Sequence, residues 1–177
     1  MKNPTVNNVA RQRLRIVLMA RDVELRIVSL IVRAREGADD VVLLDLGSND
    51  STVEYAQEVD CEVLHFNDEV NSQNIASYLI NSNLESFDST LILSITDEWR
   101  LRDLPLSINR AREGWDIHLS HQVDEIKNSP VDDFVLSEVD LQHIVLSRDG
   151  MKSIAKISTQ SLVSELDESL RVRIVQA

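Results

Sequence analysis

Two acidic turns, each directly after an apolar run, carry the side chains best suited to chemistry. Residues 41–46 form the first run, which contains Asp45 and leads into a Gly-Ser-Asn-Asp turn. Residues 90–96 form the second run, which leads into Asp97 and Glu98. Oxygen ligands of this kind suit a hard divalent cation, and a bound cation can clamp a diphosphate. The pattern therefore predicts a cation-assisted site for a phosphorylated ligand.

The charge distribution agrees with that prediction. The chain holds 30 acidic and 18 basic residues, a formal net charge of -12. Between Arg35 and Arg100 there are fifteen Asp and Glu residues but no Lys or Arg. A bound metal would supply the positive charge that this stretch lacks. The overall charge argues against a nucleic-acid partner, because sequence-independent binding to phosphates depends on cationic side chains.

The size and hydrophobicity of the chain favour one globular domain. It has 177 residues, of which 43% are hydrophobic, and this is enough for a substantial core. No apolar run approaches the length of a membrane span, and the first residues lack the apolar run of a signal peptide. We therefore expect a soluble, cytoplasmic protein. The single cysteine, Cys61, can form no internal disulfide and is expected to be a small buried side chain.

Strand and helix patterns alternate along the chain. Continuous apolar runs are typical of parallel strands covered on both faces, and apolar residues three or four apart are typical of helices. Predicted strands cover residues 15–20, 41–46, 61–66, 90–96, 116–121, 141–147 and 171–176. Predicted helices cover residues 23–36, 51–59, 71–85, 103–114, 150–157 and 161–169, and a long loop covers 122–137. This order predicts an α/β fold with a mainly parallel sheet.

Local signals indicate where some of these helices begin and end. Gly37 is predicted to end the first helix in the left-handed conformation. Ser51 and Glu54 have the spacing of a capping box at the start of the second. Pro105 falls in the first turn of the fourth, where its missing amide costs nothing. Ligands bind outside the carboxyl ends of the strands in such sheets, which is where both acidic turns are expected.

The segments around the two turns resemble glycosyltransferase family 2, whose members have the GT-A fold. LLDLGSNDST, Leu43 to Thr52, resembles the family's strand and its following acidic turn. TLILSITDEWRLRDLPLSI, residues 90–108, resembles the strand that ends in the metal-binding DXD segment, with the helix that follows. The resemblance covers residues 15–121 and is looser beyond them. It implies a three-layer α/β/α domain with a mainly parallel central sheet, of the Rossmann-like GT-A type.

The resemblance also implies an activity and a division of the chain. The activity is transfer of a sugar, as in a hexosyltransferase, from a nucleotide-diphospho-sugar to an acceptor with Mg²⁺ or Mn²⁺. Residues 1–14 are expected to be an N-terminal tail and 15–177 a single GT-A-like domain. Within it, residues 15–121 correspond to the nucleotide-sugar-binding half and 122–177 to a shortened acceptor-side half.

The resemblance also implies roles for single residues that match positions of the family's motifs. Asp45 matches the first acid of the family's pair that faces the nucleoside, and Ser48 lies in the same turn. Asp97 matches the last acid of the DXD segment and would ligate the metal, with Glu98 as a second oxygen donor. A diphosphate beside Asp97 would need a metal or a distant base such as Arg21 or Arg100. Asp50 matches an acid that tethers the turn and caps the next helix.

The sequence departs from the family pattern in ways that favour an alternative. Leu46 stands where the family has its second, base-contacting acid, and Ile95 stands at the first position of DXD. No acid occupies residues 158–160, where inverting members place the base that activates the acceptor hydroxyl. Substitutes for that base are Asp132, Asp133, Glu165 and Asp167. The alternative is a catalytically inactive GT-A-like domain that binds or assembles with a protein partner.

The remaining candidates are weaker. His118 and His121 are three apart on a predicted strand and so point to opposite faces, which disfavours a shared metal. His65 and His143 are predicted to lie on strand surfaces. Trp99 is expected to pack under the following helix rather than against a ligand.

Overall fold

In the computed structural model, the described residues are 12–82, 86–121, 139–158, 160–161 and 163–176. The strands are β1 (Leu14–Ala20), β2 (Asp40–Asp45), β3 (Glu62–His65), β4 (Ser89–Ile95), β5 (Ile117–His121), β6 (Val139–Ser147) and β7 (Val172–Gln176). The helices are α1 (Glu24–Arg35), α2 (Thr52–Glu58), α3 (Ser72–Asn81), α4 (Leu104–Ala111) and α5 (Arg148–Lys156). Short 3₁₀ turns cover Leu101–Asp103 and Val163–Glu165. The loop predicted over 122–137 lies outside the described residues.

The seven strands form one sheet in the order β3-β2-β1-β4-β6-β5-β7. All neighbouring strands are parallel except β6, which runs antiparallel to β4 and β5. Buried side chains of α1, α2 and α4 pack on one face of the sheet, and those of α3 and α5 pack on the other. The prediction of a three-layer α/β/α fold with a mainly parallel sheet is therefore confirmed.

The central strands are apolar because helices cover both their faces. Every residue of β1 is buried, as are Val41 to Asp45 in β2. Alternate residues of each strand enter the two separate hydrophobic clusters on either side of the sheet. Away from the strand ends, polar side chains would lose hydration without gaining partners, so this part of each strand is a continuous apolar run.

Strand register brings the ends of three strands to one level. Ala20, the last residue of β1, is the register partner of Asp45 in β2 and of Ile95 in β4. Adjacent strands lie about 4.8 Å apart, so the backbones of Asp45 and Ile95 are about 10 Å apart across β1. The turns that follow β1, β2 and β4 consequently lie side by side at the carboxyl edge of the sheet.

Two predicted helix-end signals are wrong. Gly37 does not have a positive φ, unlike Gly47 and Gly114, whose φ values are 84° and 79°. It is needed for close packing instead, since a Cβ at Gly37 would lie 2.5 Å from Cδ1 of Ile108 in α4. Ser51 is the N-cap residue of α2, but its side chain makes no capping hydrogen bond. Other carboxylates take the free amides at that helix start, as described below.

Near the C-terminal end, the predicted helix over 161–169 is also wrong. A single 3₁₀ turn, Val163–Glu165, is found there, closed by a hydrogen bond from the Leu166 amide to the Val163 carbonyl. The Ser169 amide then donates to Asp167 Oδ1 at 2.9 Å. Such side-chain caps favour a turn over a continuing helix.

None of the helices in the described ranges has the length and hydrophobicity needed to cross a bilayer.

Candidate functional site

The turns after β1 and β2 are tied to each other by side-chain hydrogen bonds. The Asp22 amide donates to Ser48 Oγ at 3.0 Å, and the Asn49 amide donates to Asp22 Oδ1 at 2.7 Å. Asp22 has a φ of 52°, the left-handed region that Asp tolerates better than most residues. This conformation places its carboxylate and its amide against the neighbouring turn.

Two carboxylates complete the connection by capping each other's helix. The Glu24 amide donates to Asp50 Oδ2 at 3.0 Å, while the Ser51 amide donates to Glu24 Oε2 at 3.0 Å. Asp50 also accepts the Thr52 amide at 2.9 Å. Burial raises the pKa of Asp50, but hydrogen bonds from Thr52 and the Glu24 amide outweigh it and lower the pKa. The predicted tethering and capping role of Asp50 is confirmed.

Asp45 lies beneath these turns and is only 3% exposed. The Ser48 amide donates to its Oδ1 at 3.0 Å, and Nδ1 of His65 lies 3.2 Å from its Oδ2. Burial raises the pKa of Asp45, but hydrogen bonds from Ser48, His65 and the Gly47 amide outweigh it, so the pKa is lowered. Both oxygens of this carboxylate therefore have partners within the chain.

His65 covers Asp45 from the solvent side. It is the register partner of Asp45 on β3, and its side chain is 60% exposed. The predicted surface position of His65 is confirmed, but its contact with Asp45 was missed. Two residues at the ends of consecutive predicted parallel strands are the signal that could have found it, since such residues meet at one edge.

The second acidic turn follows β4. The Trp99 amide donates to the Thr96 carbonyl at 3.1 Å, which closes a four-residue turn with Asp97 and Glu98 at its two central positions. Both acidic residues are exposed. Trp99 is buried and belongs to the hydrophobic cluster of α1 and α4, as predicted.

Two guanidinium groups bind the carbonyls of this turn. Arg26 of α1 donates from Nη1 to the Thr96 carbonyl at 3.2 Å and from Nη2 to the Trp99 carbonyl at 2.7 Å. Arg100 donates from Nη1 to the Asp97 carbonyl. Sequence reasoning missed Arg26, because it lies 70 residues before Thr96. The turn after β4 lies in the stretch without Lys or Arg, and the guanidinium that binds both its ends comes from Arg26, outside that stretch.

The turn offers two carboxylates to a metal. Among the described residues there is no group of three or more His, Cys, Asp or Glu side chains placed to hold an ion. In the described ranges, Asp97 accepts a hydrogen bond from Arg100 through its backbone carbonyl, and both acidic residues are exposed. Mg²⁺ usually keeps several waters and binds through one or two carboxylates plus substrate phosphates. The donor set fits an ion of that kind when a phosphate ligand is also present.

Two of the four candidate bases late in the chain fall within the described residues. Asp132 and Asp133 lie outside the described residues. Glu165 is exposed in the last 3₁₀ turn. Hydrogen bonds from the Ser169 amide and hydroxyl lower the pKa of Asp167, so this carboxylate caps a turn.

The prediction for His143 is wrong, because it is only 8% exposed rather than on the surface. It lies under α4, with Nδ1 3.2 Å from Ser107 Oγ, and its ring centroid is 5.4 Å from that of buried His118. Burial, His118 and Arg110 lower the pKa of His143 to about 4. Burial and the charge of Arg173 also lower the pKa of His118. Both rings are therefore neutral near pH 7. The side chain of His121, the other histidine of the predicted pair, lies outside the described residues.

A separate acidic cleft of about 310 Å³ opens at the opposite edge of the sheet, where β2 and β3 begin. It is lined by Arg35, Ala38, Asp39, Asp40, Val41, Asp60 and Glu62. The Arg35 guanidinium donates to the carbonyls of Val59 and Asp60 at 2.8 and 2.9 Å. This cleft is remote from both acidic turns.

The fold matches solved structures of a glycosyltransferase. Glucosyl-3-phosphoglycerate synthase from Mycobacterium tuberculosis, in complex with Mn²⁺, UDP and glucosyl-3-phosphoglycerate, superimposes with a TM-score of 0.57 at 16% identity, over 93% of this chain and 70% of that chain. The same enzyme with Mg²⁺ and UDP gives a TM-score of 0.54 at 12% identity, over 93% and 69%. Its complex with Mn²⁺, UDP-glucose and phosphoglyceric acid gives 0.55 at 16%, over 77% and 57%.

Sequence comparison adds nothing to this likeness. No protein-family model matches the chain, and no curated protein sequence matches it. At this level of identity, a structural likeness shows the fold and not the chemistry. The chain has a GT-A fold of the kind found in nucleotide-sugar glycosyltransferases.

Proposed function

We propose that this chain is a glycosyltransferase that binds a nucleotide-diphospho-sugar with Mg²⁺ or Mn²⁺ and transfers the sugar to an acceptor. The register of Ala20 with both Asp45 and Ile95 carries the proposal. It sets the Asp45 turn and the Asp97 turn side by side at the carboxyl edge of a GT-A sheet. Ligands of open α/β sheets bind at that edge.

In this proposal, the two turns bind different parts of the donor. Asp45 and Ser48 serve the nucleoside side, where the His65 ring beside Asp45 is open to solvent. Asp97 and Glu98 hold the cation, and Arg100 meets the diphosphate. When bound, a divalent cation of this type neutralises the charge that develops on a diphosphate leaving group.

The chain is divided accordingly, with residues 15–121 as the nucleotide-sugar-binding half and 122–177 as a shortened acceptor-side half. All seven strands belong to one sheet, which supports a single domain over residues 15–177. The acceptor hydroxyl needs a base, because it is a poor nucleophile until it loses its proton. Asp132, Asp133 and Glu165 remain the candidates for that base, since Asp167 is committed to capping a turn.

The alternative function is a GT-A-like binding or assembly module without transfer activity. A specific observation favours it: the Asp45 carboxylate is 3% exposed and already satisfied by Ser48 and His65. Leu46 and Ile95, which are apolar residues at two of the family's acid positions, agree with it. The two functions differ in whether a divalent cation strengthens nucleotide binding.

Calorimetric titration of the full chain with UDP, GDP and their sugar conjugates, with and without Mn²⁺, tests the proposal. We expect one nucleotide to bind, with at least tenfold higher affinity when Mn²⁺ is present, and Asp97→Ala to remove that increase. Glu58→Ala is the matched control, because Glu58 is an exposed acid at the last residue of α2, at the other end of that helix from the Asp45 turn. If the protein is folded but binds none of these ligands, the proposed sugar transfer is rejected, and the alternative function as a binding or assembly module is left.

A further inference from the structure

The first turn of α1 contacts both acidic turns of the candidate site. Its Glu24 side chain accepts the Ser51 amide, and the Val23 amide before it donates to Thr52 Oγ1 at 2.7 Å. Arg26, two residues further on, donates to the turn after β4. One rigid helix start thus connects the Asp45 turn to the Asp97 turn.

Arg26 holds the turn after β4 at both its ends. Its two Nη atoms bind the carbonyls of Thr96 and Trp99, at 3.2 and 2.7 Å. The Thr96 carbonyl also accepts the Trp99 amide that closes the turn. A guanidinium suits this arrangement because its planar fork offers two donors in a fixed geometry, whereas an ammonium group acts as a point charge. The fork fixes the spacing of the two carbonyls as well as their position.

The hydrogen bonds that Arg26 donates to this turn differ in kind from the one that Arg100 donates. Arg100 lies within three residues of the carbonyl it binds, so its hydrogen bond stiffens the turn locally. Arg26 is 70 residues away from Thr96 in sequence, so its hydrogen bonds fix the turn relative to α1. Its pair of contacts directs the carbonyls toward α1 and leaves the two central residues, Asp97 and Glu98, exposed. Arg26 therefore sets where these two carboxylates lie.

We infer that Arg26 is a positioning residue that couples the nucleotide and the divalent cation at the carboxyl edge. The inference rests on the proposed function. Arg26 holds the Asp97 turn at a fixed distance from the Asp45 turn, so the Asp97 and Glu98 carboxylates would be placed to hold a cation beside a diphosphate bound at that edge. Because Arg26 binds backbone carbonyls, its loss affects the cation-dependent part of nucleotide affinity and spares the cation-independent part.

Titration of UDP into wild type, Arg26→Gln and Arg26→Lys, each with and without Mn²⁺, tests the inference. We expect Arg26→Gln to lower the affinity in Mn²⁺ by about tenfold, the size of effect that loss of charge-assisted hydrogen bonds produces. Affinity without Mn²⁺ should stay the same. Arg26→Lys should recover only part of the loss, because Lys cannot bind both carbonyls as a fork. Arg102→Gln is the control, since the Arg102 side chain is 85% exposed.

Hydrogen exchange of the Trp99 amide gives a second readout that needs no ligand. We expect faster exchange at Trp99 in Arg26→Gln, because that amide closes the turn held by Arg26. If wild type shows a Mn²⁺-dependent affinity and Arg26→Gln keeps it in full, the inference is wrong and the proposed function stands. If wild type itself binds no nucleotide, the proposed function and the inference both fail.

Discussion

Nδ1 of His65 lies 3.2 Å from Oδ2 of Asp45, at the last register pair of β2 and β3. The buried carboxylate is thereby satisfied by an exposed ring on one side and by the Ser48 amide on the other. Hydrogen bonds of this kind favour the ionised form of a carboxyl group. The ionised Asp45 carboxylate consequently contributes to folding stability.

Replacing Asp45 with Asn should destabilise the fold at pH 7 and less so in acid. The folded-state pKa of Asp45 lies below its ordinary value of 3.8, so its ionised form stabilises the protein above that pH. That contribution is lost as the pH falls through the folded-state pKa. We expect a loss of about 1–3 kcal/mol in the free energy of unfolding at pH 7. Urea denaturation at pH 7, 5 and 3.5 measures it; an equal loss at all three values contradicts this assignment.

Asp50→Ala should remove caps from two helices at once. Its carboxylate accepts the amides of Glu24 in α1 and Thr52 in α2, and loss of a side-chain cap costs about 1 kcal/mol. We expect a loss of about 2 kcal/mol in urea denaturation, with Asp50→Asn milder. Asp97→Asn is the comparison, and as an exposed substitution it should change stability by less than about 0.5 kcal/mol. If Asp50→Ala leaves the free energy of unfolding unchanged, the hydrogen bonds from the Glu24 and Thr52 amides to Asp50 are not formed in solution.

Much of the fold is predictable from the sequence because its signals are local. Strands β1, β2 and β4 are continuous apolar runs, and Gly, Asp and Ser mark the turns between elements. The apolar spacing of α1 and the Pro105 at the start of α4 have the same local character. Each of these signals is contained within a few residues, so no knowledge of the partner strands is needed.

What could not be predicted depends on contacts between distant residues. Arg26 binds a turn 70 residues away, and His143 is buried only because α4 crosses it with Ser107. Ser51 and Glu54 have capping-box spacing, but Glu24 from the start of α1 accepts the Ser51 amide that Glu54 would have accepted. Gly37 is explained by Ile108 on another helix. In each case tertiary packing decided between options that the local sequence left equal.

The buried pair His118 and His143 should make the fold sensitive to acid. The folded-state pKa of His143, about 4, lies below its ordinary value of 6.5, so protonation favours the unfolded chain. The stability is fully present above pH 6.5 and is lost as the pH falls toward 4. A shift of this size corresponds to about 3 kcal/mol.

Unfolding by urea between pH 7.5 and 4.5 measures that loss. We expect His143→Gln to flatten the pH dependence over this range, although it lowers stability at neutral pH. Gln57→Ala is the control, because Gln57 is an exposed residue of α2 that carries no titratable group, and the variant should keep the wild-type slope. An unchanged slope in His143→Gln would assign the acid sensitivity to other groups.

Gly37→Ala should destabilise the contact between α1 and α4. Its new Cβ would lie 2.5 Å from Cδ1 of Ile108, and such overpacking costs about 1–3 kcal/mol. Ile108→Val removes that Cδ1, so the double variant should be more stable than the sum of the single losses predicts. A double-mutant cycle in thermal or urea denaturation measures the coupling. Strictly additive losses would mean that Gly37 and Ile108 do not meet.

The central claim is that a nucleotide and a divalent cation bind together at the carboxyl edge of the sheet. Mn²⁺ added to isotope-labelled protein with UDP tests it directly, because the ion broadens the amide signals near it. The account predicts selective loss of signals at residues 95–100, with weaker loss around Asp45, and dependence on UDP. Broadening centred on the acidic cleft around Asp40 and Glu62, or independent of UDP, would contradict it.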